Sequence, residues 1–166
     1  MPFAARASVV RIGLISDTHG LLRPEALQFL RGADHVIHGG DIGDRTIVAA
    51  LRAIAPVTAV RGNNDVADWE HLAPDAVLRF EKVVVYAVHD VKDLRHRPLP
   101  PEVTVVVSGH SHRPSVTERA GVLHVNPGSA GPRRFSLPVS VGEIVVDGGA
   151  WEARTVALEV APARGR

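Results

Sequence analysis

At 166 residues the chain has room for one domain with a single real core and little for a second. Apolar residues make up 45% of it and aromatics only 4%, so valine, leucine, isoleucine and alanine must fill that core. Lys and Arg number 19 against 18 Asp and Glu, a net charge of +1 that offers no field to gather a nucleic acid or an anionic membrane; the lack of cysteine excludes disulfides, thiolate metal sites and cysteine nucleophiles together. No apolar run approaches the roughly 20 residues that span a bilayer, and Arg6 and Arg11 break the N-terminal stretch before a signal-type apolar region forms. The expectation is a cytoplasmic single domain over 1–166, with loose ends at 1–10 and 159–166.

The chain opens on "VVRIGLIS", a β-branched run of the kind that forms a strand covered on both faces. "RPEALQFLRGA" follows with helical spacing, Pro24 near its start and Gly32 near its end. "HVIHGG" predicts a second strand, "DRTIVAALRAIA" a second helix and "VTAVRG" a third strand, so the N-terminal half reads βαβαβ with parallel strands. Beyond residue 75, "AVLRFEKVVVYAVH" predicts two strands meeting near Glu81 and Lys82 with no helix between them. "DVKDLRHRPLPPE" reads as loop or short helix, and "VTVVVSGH" as another buried strand. Two hairpins follow, "SVTERAGVLHVNPGS" turning near Ala120 and Gly121 and "SVGEIVVDGGAWEARTVAL" turning over 147–150. The C-terminal third is thus expected to be antiparallel, in a mixed α/β protein with two sheets.

Each of the five apolar runs ends in polar residues of one kind. Asp17 and His19 follow the first, Asp41 the second, Asn63 the third, His89 the fourth, and His110 with His112 the fifth. The carboxyl ends of strands border the ligand crevice of an open α/β sheet, so these seven side chains are expected to converge. Asp17/His19 and His110/His112 have i, i+2 spacing, which in extended chain points both members of a pair the same way. Four imidazoles, two carboxylates and an amide oxygen suit Mn, Fe, Zn, Ni or Co better than Ca or Mg. Seven ligands exceed what one catalytic ion needs, so two ions roughly 3.5–4 Å apart are expected, with Asp41 of "GGD" bridging them. Two divalent ions, less the charges of Asp17, Asp41 and a bridging hydroxide, leave one net positive charge, which a phosphate ester would neutralise. Singly, "SDTHG", "GGD" and "GNND" are ordinary turns and loops, and "GHSH" is as readily a surface loop as a metal site. Their order, each after a strand-like run, is what chance rarely supplies. Of the other histidines, His35, His71 and His96 are expected at the surface, and His38 and His124 in structural roles near the site.

From "ISDTHG" through "HGGDIGD", "VRGNND", "VHD" and "SGHSH" to "VNPGSAGPRR", the chain resembles the calcineurin-like metallophosphoesterase superfamily, in particular its small single-domain bacterial and archaeal phosphodiesterases. That resemblance implies a four-layer α/β/β/α sandwich with two mixed β-sheets. It implies that Asp17, His19 and His112 hold one ion and Asn63, His89 and His110 the other, with Asp41 shared. Asn126 and Ser129 of "NPGS" would brace the loop or approach the phosphate, bracing being the simpler role, and Arg133 matches a family "PR" position. Two departures stand out. Many relatives carry histidine where this chain has Asn64, and an amide cannot act as a general acid. Asp90 stands where glycine is common, either as partner to an imidazole N–H or as the N-cap of a short helix.

The reading is a metal-dependent phosphodiesterase acting on a small phosphate ester through a metal-bridging hydroxide, with two divalent ions, Mn foremost. Asp41, Asn63, His89 and His110 would carry catalysis, Asn64, Asn126, Ser129 and Arg133 would be the substrate contacts, and Asp65 would anchor the loop that presents Asn63. No membrane or nucleic-acid partner is indicated, and self-association into a homo-oligomer stays open. The alternatives are a protein-binding scaffold on the same fold, as in the retromer subunit, and another metal hydrolase such as an amidohydrolase.

Overall fold

Thirteen short elements follow the βαβαβ-then-hairpin order read from the sequence. They were identified in a computed structural model that describes residues 8–66, 69, 71–134 and 136–161. Strand β1 (Val10–Ile15) is followed by α1 (Pro24–Leu30), β2 (His35–His38), α2 (Arg45–Arg52) and β3 (Val57–Ala59). Pro24 starts α1, where a missing N–H costs nothing. Asp44 caps α2 by accepting from Thr46 N at 2.8 Å, and the spacing of Ile47, Val48 and Leu51 turns one face inward. β1, β2 and β3 pair in parallel, as expected of right-handed crossovers.

The remaining strands are β4 (Asp75–Phe80), β5 (Val83–Val88), β6 (Val105–Val107), β7 (Ser115–Arg119), β8 (Val122–Asn126), β9 (Ser140–Asp147) and β10 (Ala150–Ala157). They complete two mixed five-stranded sheets, ordered β10-β9-β1-β2-β3 and β4-β5-β6-β8-β7. The hairpins turn where the sequence put them, with Glu81 and Ala120 taking positive φ at two of the tips. The C-terminal third is not wholly antiparallel, however: β8 runs parallel to β6. Its hairpin partner β7 takes the sheet edge, so β8 must join β6 directly, while β9 crosses to the other sheet to pair with β1 and β10 forms that sheet's edge beyond it. Val10, assigned to a loose N-terminal end, is already paired with Val146. Residues 1–7 and 162–166 of the expected loose ends lie outside the described residues.

Alternation along β1 decides which layer each side chain enters. Ile12 and Leu14 point between the sheets, into a core of Ile37, Val60, Val85, Val105, Val107, Val125 and Ile144. Gly13 and Ile15 face the helices, and a Cβ at Gly13 would lie 2.5 Å from Leu30 Cδ2, so the glycine sets how closely α1 packs. The outer face of the second sheet, with Val84, Tyr86, Val88 and Val106, is covered by a 3₁₀ turn (Val91–Arg95) and the loop carrying Leu99 and Val103. That turn is the fourth layer. Asp90 caps it by accepting from Lys92 N at 3.0 Å, the second of the two roles open to it from sequence. No described helix is long and apolar enough to cross a membrane.

Candidate metal centre

The parallel strands of both sheets end on one rim, and the loops leaving them are stitched together by their backbones. Asp17 N donates to Gly40 O (3.0 Å), His19 N to Asp41 O (2.9 Å), Gly109 N to His89 O (2.9 Å) and Ala130 N to Ser16 O (3.0 Å). Five of the seven predicted ligands sit in left-handed backbone: Asp17, His19, Asp41, His110 and His112 have φ between 44° and 69°. This corrects the extended-chain argument for the i, i+2 pairs. The residues lie in tight turns beyond the strands, and the two histidines of "GHSH" diverge, His112 toward Asp17 and His19, His110 toward Asn63 and His89.

All seven side chains nevertheless meet, in two overlapping groups. In the first, His112 Nε2 lies 3.3 Å from both His19 Nε2 and Asp17 Oδ1, and His19 Nε2 is 3.8 Å from Asp17 Oδ1. In the second, Asn63 Oδ1 lies 2.9 Å from His89 Nε2 and 3.0 Å from His110 Nδ1. Asp41 Oδ2 joins them, 3.7 Å from His19 Nε2 and 3.4 Å from His89 Nε2. Such separations are the edges of a coordination polyhedron with metal–donor bonds of about 2.0–2.2 Å.

Two observations test whether a cation fits. Asp17 Oδ1 is buried and has no hydrogen-bond partner among the described residues, a costly arrangement for a carboxylate oxygen. His89 Nδ1–H donates to the Gly39 carbonyl at 2.7 Å, so in the neutral ring Nε2 is a lone pair, and it faces the lone pairs of Asn63 Oδ1 and Asp41 Oδ2. A proton or a metal ion must sit there. The residues present fit divalent ions.

The electrostatics agree. Burial opposes the charge of Asp41, but bonds from His89 and from the backbone and amide of Asn64 hold its carboxyl far below the ordinary range. Burial also opposes an imidazolium at His89, yet Asp41, the Gly39 carbonyl and Asp17 outweigh it and raise its pKa. Burial raises Asp17 and lowers His112. Metal ions would relieve these conflicts by supplying the positive charge directly.

Around the ligands lies a shell of fixed donors and acceptors. Asp65, as expected of the anchor, accepts from Ile42 N (2.9 Å), Gly43 N (3.4 Å) and Gly62 N (2.8 Å), tying the Asp41 and Asn63 loops together. Asn64 N and Nδ2 each donate to Asp41 at 2.9 Å. Asn126 Nδ2 donates to Gly109 O (2.9 Å) and Ser129 Oγ to Asp17 O (2.9 Å), so both brace the loops that carry the candidate ligands. Arg133 is exposed and makes no hydrogen bond or ion pair to another described residue. Gly62 and Gly109 allow close approaches to the two carboxylates: a Cβ on Gly109 would lie 2.6 Å from Asp17 Oδ2, and one on Gly62 would overlap Asp41.

Sequence reasoning missed Ser16, whose Oγ donates to Asp17 Oδ2 at 2.7 Å, and Thr18, which contacts His38 Nε2 at 3.0 Å. The only trace of either is a hydroxyl residue flanking Asp17 in "SDT". It also missed Arg134, whose charge bears on His112. His38 is buried beside the site as expected, and His71 and His96 are exposed. His35 is not a surface residue: it is half-buried, 2.8 Å from Thr58 Oγ1 and edge-on to Phe80, because its strand lies inside the sheet. His110 Nε2 lies 3.7 Å from Asp90 Oδ2, too far for a hydrogen bond, so the cap is the bond that Asp90 makes.

Two stacked mixed sheets with a carboxylate–imidazole–amide centre on their common rim define the metallophosphoesterase class. Residues 10–148 match the calcineurin-like phosphoesterase superfamily domain, and the chain belongs to that family. It is 31% identical over 157 residues to a "probable metallophosphoesterase" of Methanothermobacter thermautotrophicus, covering 87% of this chain and 91% of that one. Among solved structures it is similar to an archaeal phosphodiesterase, with TM-score 0.71, 23% identity and coverage of 90% of this chain and 100% of that one. It is also similar to Vacuolar Protein Sorting 29 of Cryptosporidium parvum, with TM-score 0.72, 18% identity and coverage of 89% and 97%. These two structural likenesses establish the fold.

Proposed function

We propose that this chain is a phosphodiesterase that holds two divalent ions, with Asp17, His19 and His112 on one, Asn63, His89 and His110 on the other, and Asp41 shared. The observation that carries this reading is the position of Asp41 Oδ2, within 3.7 Å of donors from both groups. Ions bound there would supply Lewis-acid neutralisation of the phosphoryl charge and a nucleophile at neutral pH. The chain's own part is positional. Asn64 and the loop tied down by Asp65 fix Asp41, and the Gly39 carbonyl fixes the tautomer of His89. His110, exposed as Asn63 is while His89 is buried, stands at the mouth, where an ester would enter.

The preference for diesters follows from Asn64. Its amide donates to Asp41 and has no proton to give a poor leaving group, so activated or diester substrates suit the site better than alkyl monoesters. The similarity to an archaeal phosphodiesterase supports the same preference. Hydrolysis of bis-p-nitrophenyl phosphate with Mn tests the reading: Asp41→Asn and His110→Ala should each lose at least about a hundredfold in kcat/KM. Undiminished turnover in either would refute it. The scaffold reading draws on the likeness to Vacuolar Protein Sorting 29, and metal analysis separates the two. Two equivalents of Mn per chain are expected; fewer than one at micromolar metal would favour a scaffold.

A further inference from the structure

Two recesses open beside the metal centre, and His110 with Asp90 stands between them. The smaller, about 210 Å³, is walled by Arg61, Asn63, His89 and Asp93. The larger, about 270 Å³, runs over the outer face of the second sheet. Its floor follows from strand register. Ser115 is opposite Asn126 and Thr117 opposite His124, so alternation puts Ser115, Thr117 and Arg119 of β7 on the same face as those two residues of β8. All five line the recess, and the 3₁₀ turn brings Lys92 in from the other side.

The charges are unbalanced. Lys92 and Arg119 line the recess and are exposed, and neither has an ion-pair partner among the described residues. Its one carboxylate, Asp90, is engaged at the centre end, with the N–H of Lys92 on one oxygen and His110 near the other. Arg119 lies about 13 Å along the strand from Ser115, at roughly 3.3 Å per residue, so the far end is cationic and the near end belongs to the metal centre. Hydroxyls of Ser111, Ser115 and Thr117 line the space between. A diester presents two substituents at phosphorus, and a centre flanked by two recesses has a place for each.

Building on the phosphodiesterase reading, we propose that the recess over β7 and β8 is the subsite for one ester arm, and that it selects an arm that is polar and carries an anionic group, held by Lys92 and Arg119. Both are specificity-determining residues, neither being a metal ligand nor a brace for one.

The test compares three p-nitrophenyl diesters whose second arm is methyl, 3-carboxyphenyl or choline. The wild-type protein should favour the carboxylate arm over the choline arm by at least about tenfold in kcat/KM, the scale of one charge-assisted contact. Lys92→Ala/Arg119→Ala should cut that ratio at least fivefold, mainly through KM. Because the ratio is taken within one protein, it is insensitive to the active fraction of each preparation. A wild type that prefers methyl or choline, or a double variant with an unchanged ratio, would overturn the subsite. If no diester turns over, the phosphodiesterase reading fails by itself, and the subsite is judged by binding. 3-Carboxyphenyl methylphosphonate should then bind more tightly than phenyl methylphosphonate by calorimetry, with the difference lost in the double variant; equal binding in the wild type would overturn the subsite.

Discussion

Asp65→Asn exchanges one oxygen for an NH₂ group in the carboxylate that ties two ligand loops together. Asp65 is 2% exposed and accepts from Ile42 N and Gly43 N on one oxygen and from Gly62 N on the other. An asparagine can keep its carbonyl toward Ile42 and Gly43, but its NH₂ must then face the Gly62 N–H, donor against donor. The loss is one hydrogen bond to a charged acceptor, about 1.5–3 kcal/mol, plus about 1–3 kcal/mol for an unpaired buried donor, so about 2.5–6 kcal/mol in all. That is a large share of the about 5–15 kcal/mol that holds a domain folded. Because Gly62 precedes Asn63 and Ile42 follows Asp41, the second ligand group should loosen as well. Urea unfolding followed by circular dichroism, with EDTA present, measures the first effect, and Mn titration calorimetry the second. A loss below 1 kcal/mol together with unchanged Mn affinity would refute the anchoring role.

Gly62→Ala should displace Asp41 and reduce bound Mn from two equivalents to one or fewer, read by elemental analysis, while retention of two would show that the turn can yield. His38 is buried as the neutral ring: Nδ1 accepts from Gly40 N (3.1 Å), and Nε2–H meets a Thr18 hydroxyl already donating to Ile42 O (2.8 Å). Burial first, then the neighbouring His89, pushes its pKa down to about 3, below the 6.5 of the unfolded chain. The unfolded chain therefore binds the proton first, and this contribution is intact above pH 6.5 and lost as pH falls toward 3. It amounts to about 2 kcal/mol between pH 7 and pH 5. His38→Asn should be less acid-sensitive by that amount in metal-free urea melts, and parallel curves would argue against a neutral buried ring. Asn64→His should raise the ratio of p-nitrophenyl phosphate to bis-p-nitrophenyl phosphate turnover, since an imidazole can protonate a leaving group; an unchanged ratio would mean that the missing acid does not set the preference.

The convergence of the seven side chains was legible because each follows a strand-like apolar run, even the half-buried edge strand β3 before Asn63, and parallel strands end on one side. The two parallel crossovers and the hairpin tips were legible for the same local reasons. What escaped depended on pairing at a distance. Nothing in "GVLHVN" says that β8 will lie parallel to β6 rather than only against its hairpin partner. Spacing alone suggested that His110 and His112 act together, whereas the turn sends them to separate groups. Ser16 and Arg134 lie within "ISDTHG" and "VNPGSAGPRR" without a role that spacing assigns, and their roles arise from loops that meet only in the folded chain.

Left-handed backbone at five ligand positions narrows which amino acids can build this centre before coordination chemistry makes any choice. Aspartate and histidine enter that conformation far more readily than most residues with a Cβ, and β-branched side chains scarcely at all. Glutamate would offer the same oxygens on a longer arm without that tolerance. The absence of glutamate among the seven is then as much a matter of turn geometry as of reach, and Asp17→Glu or Asp41→Glu should fail twice over, through strain in the main chain and through a misplaced carboxylate.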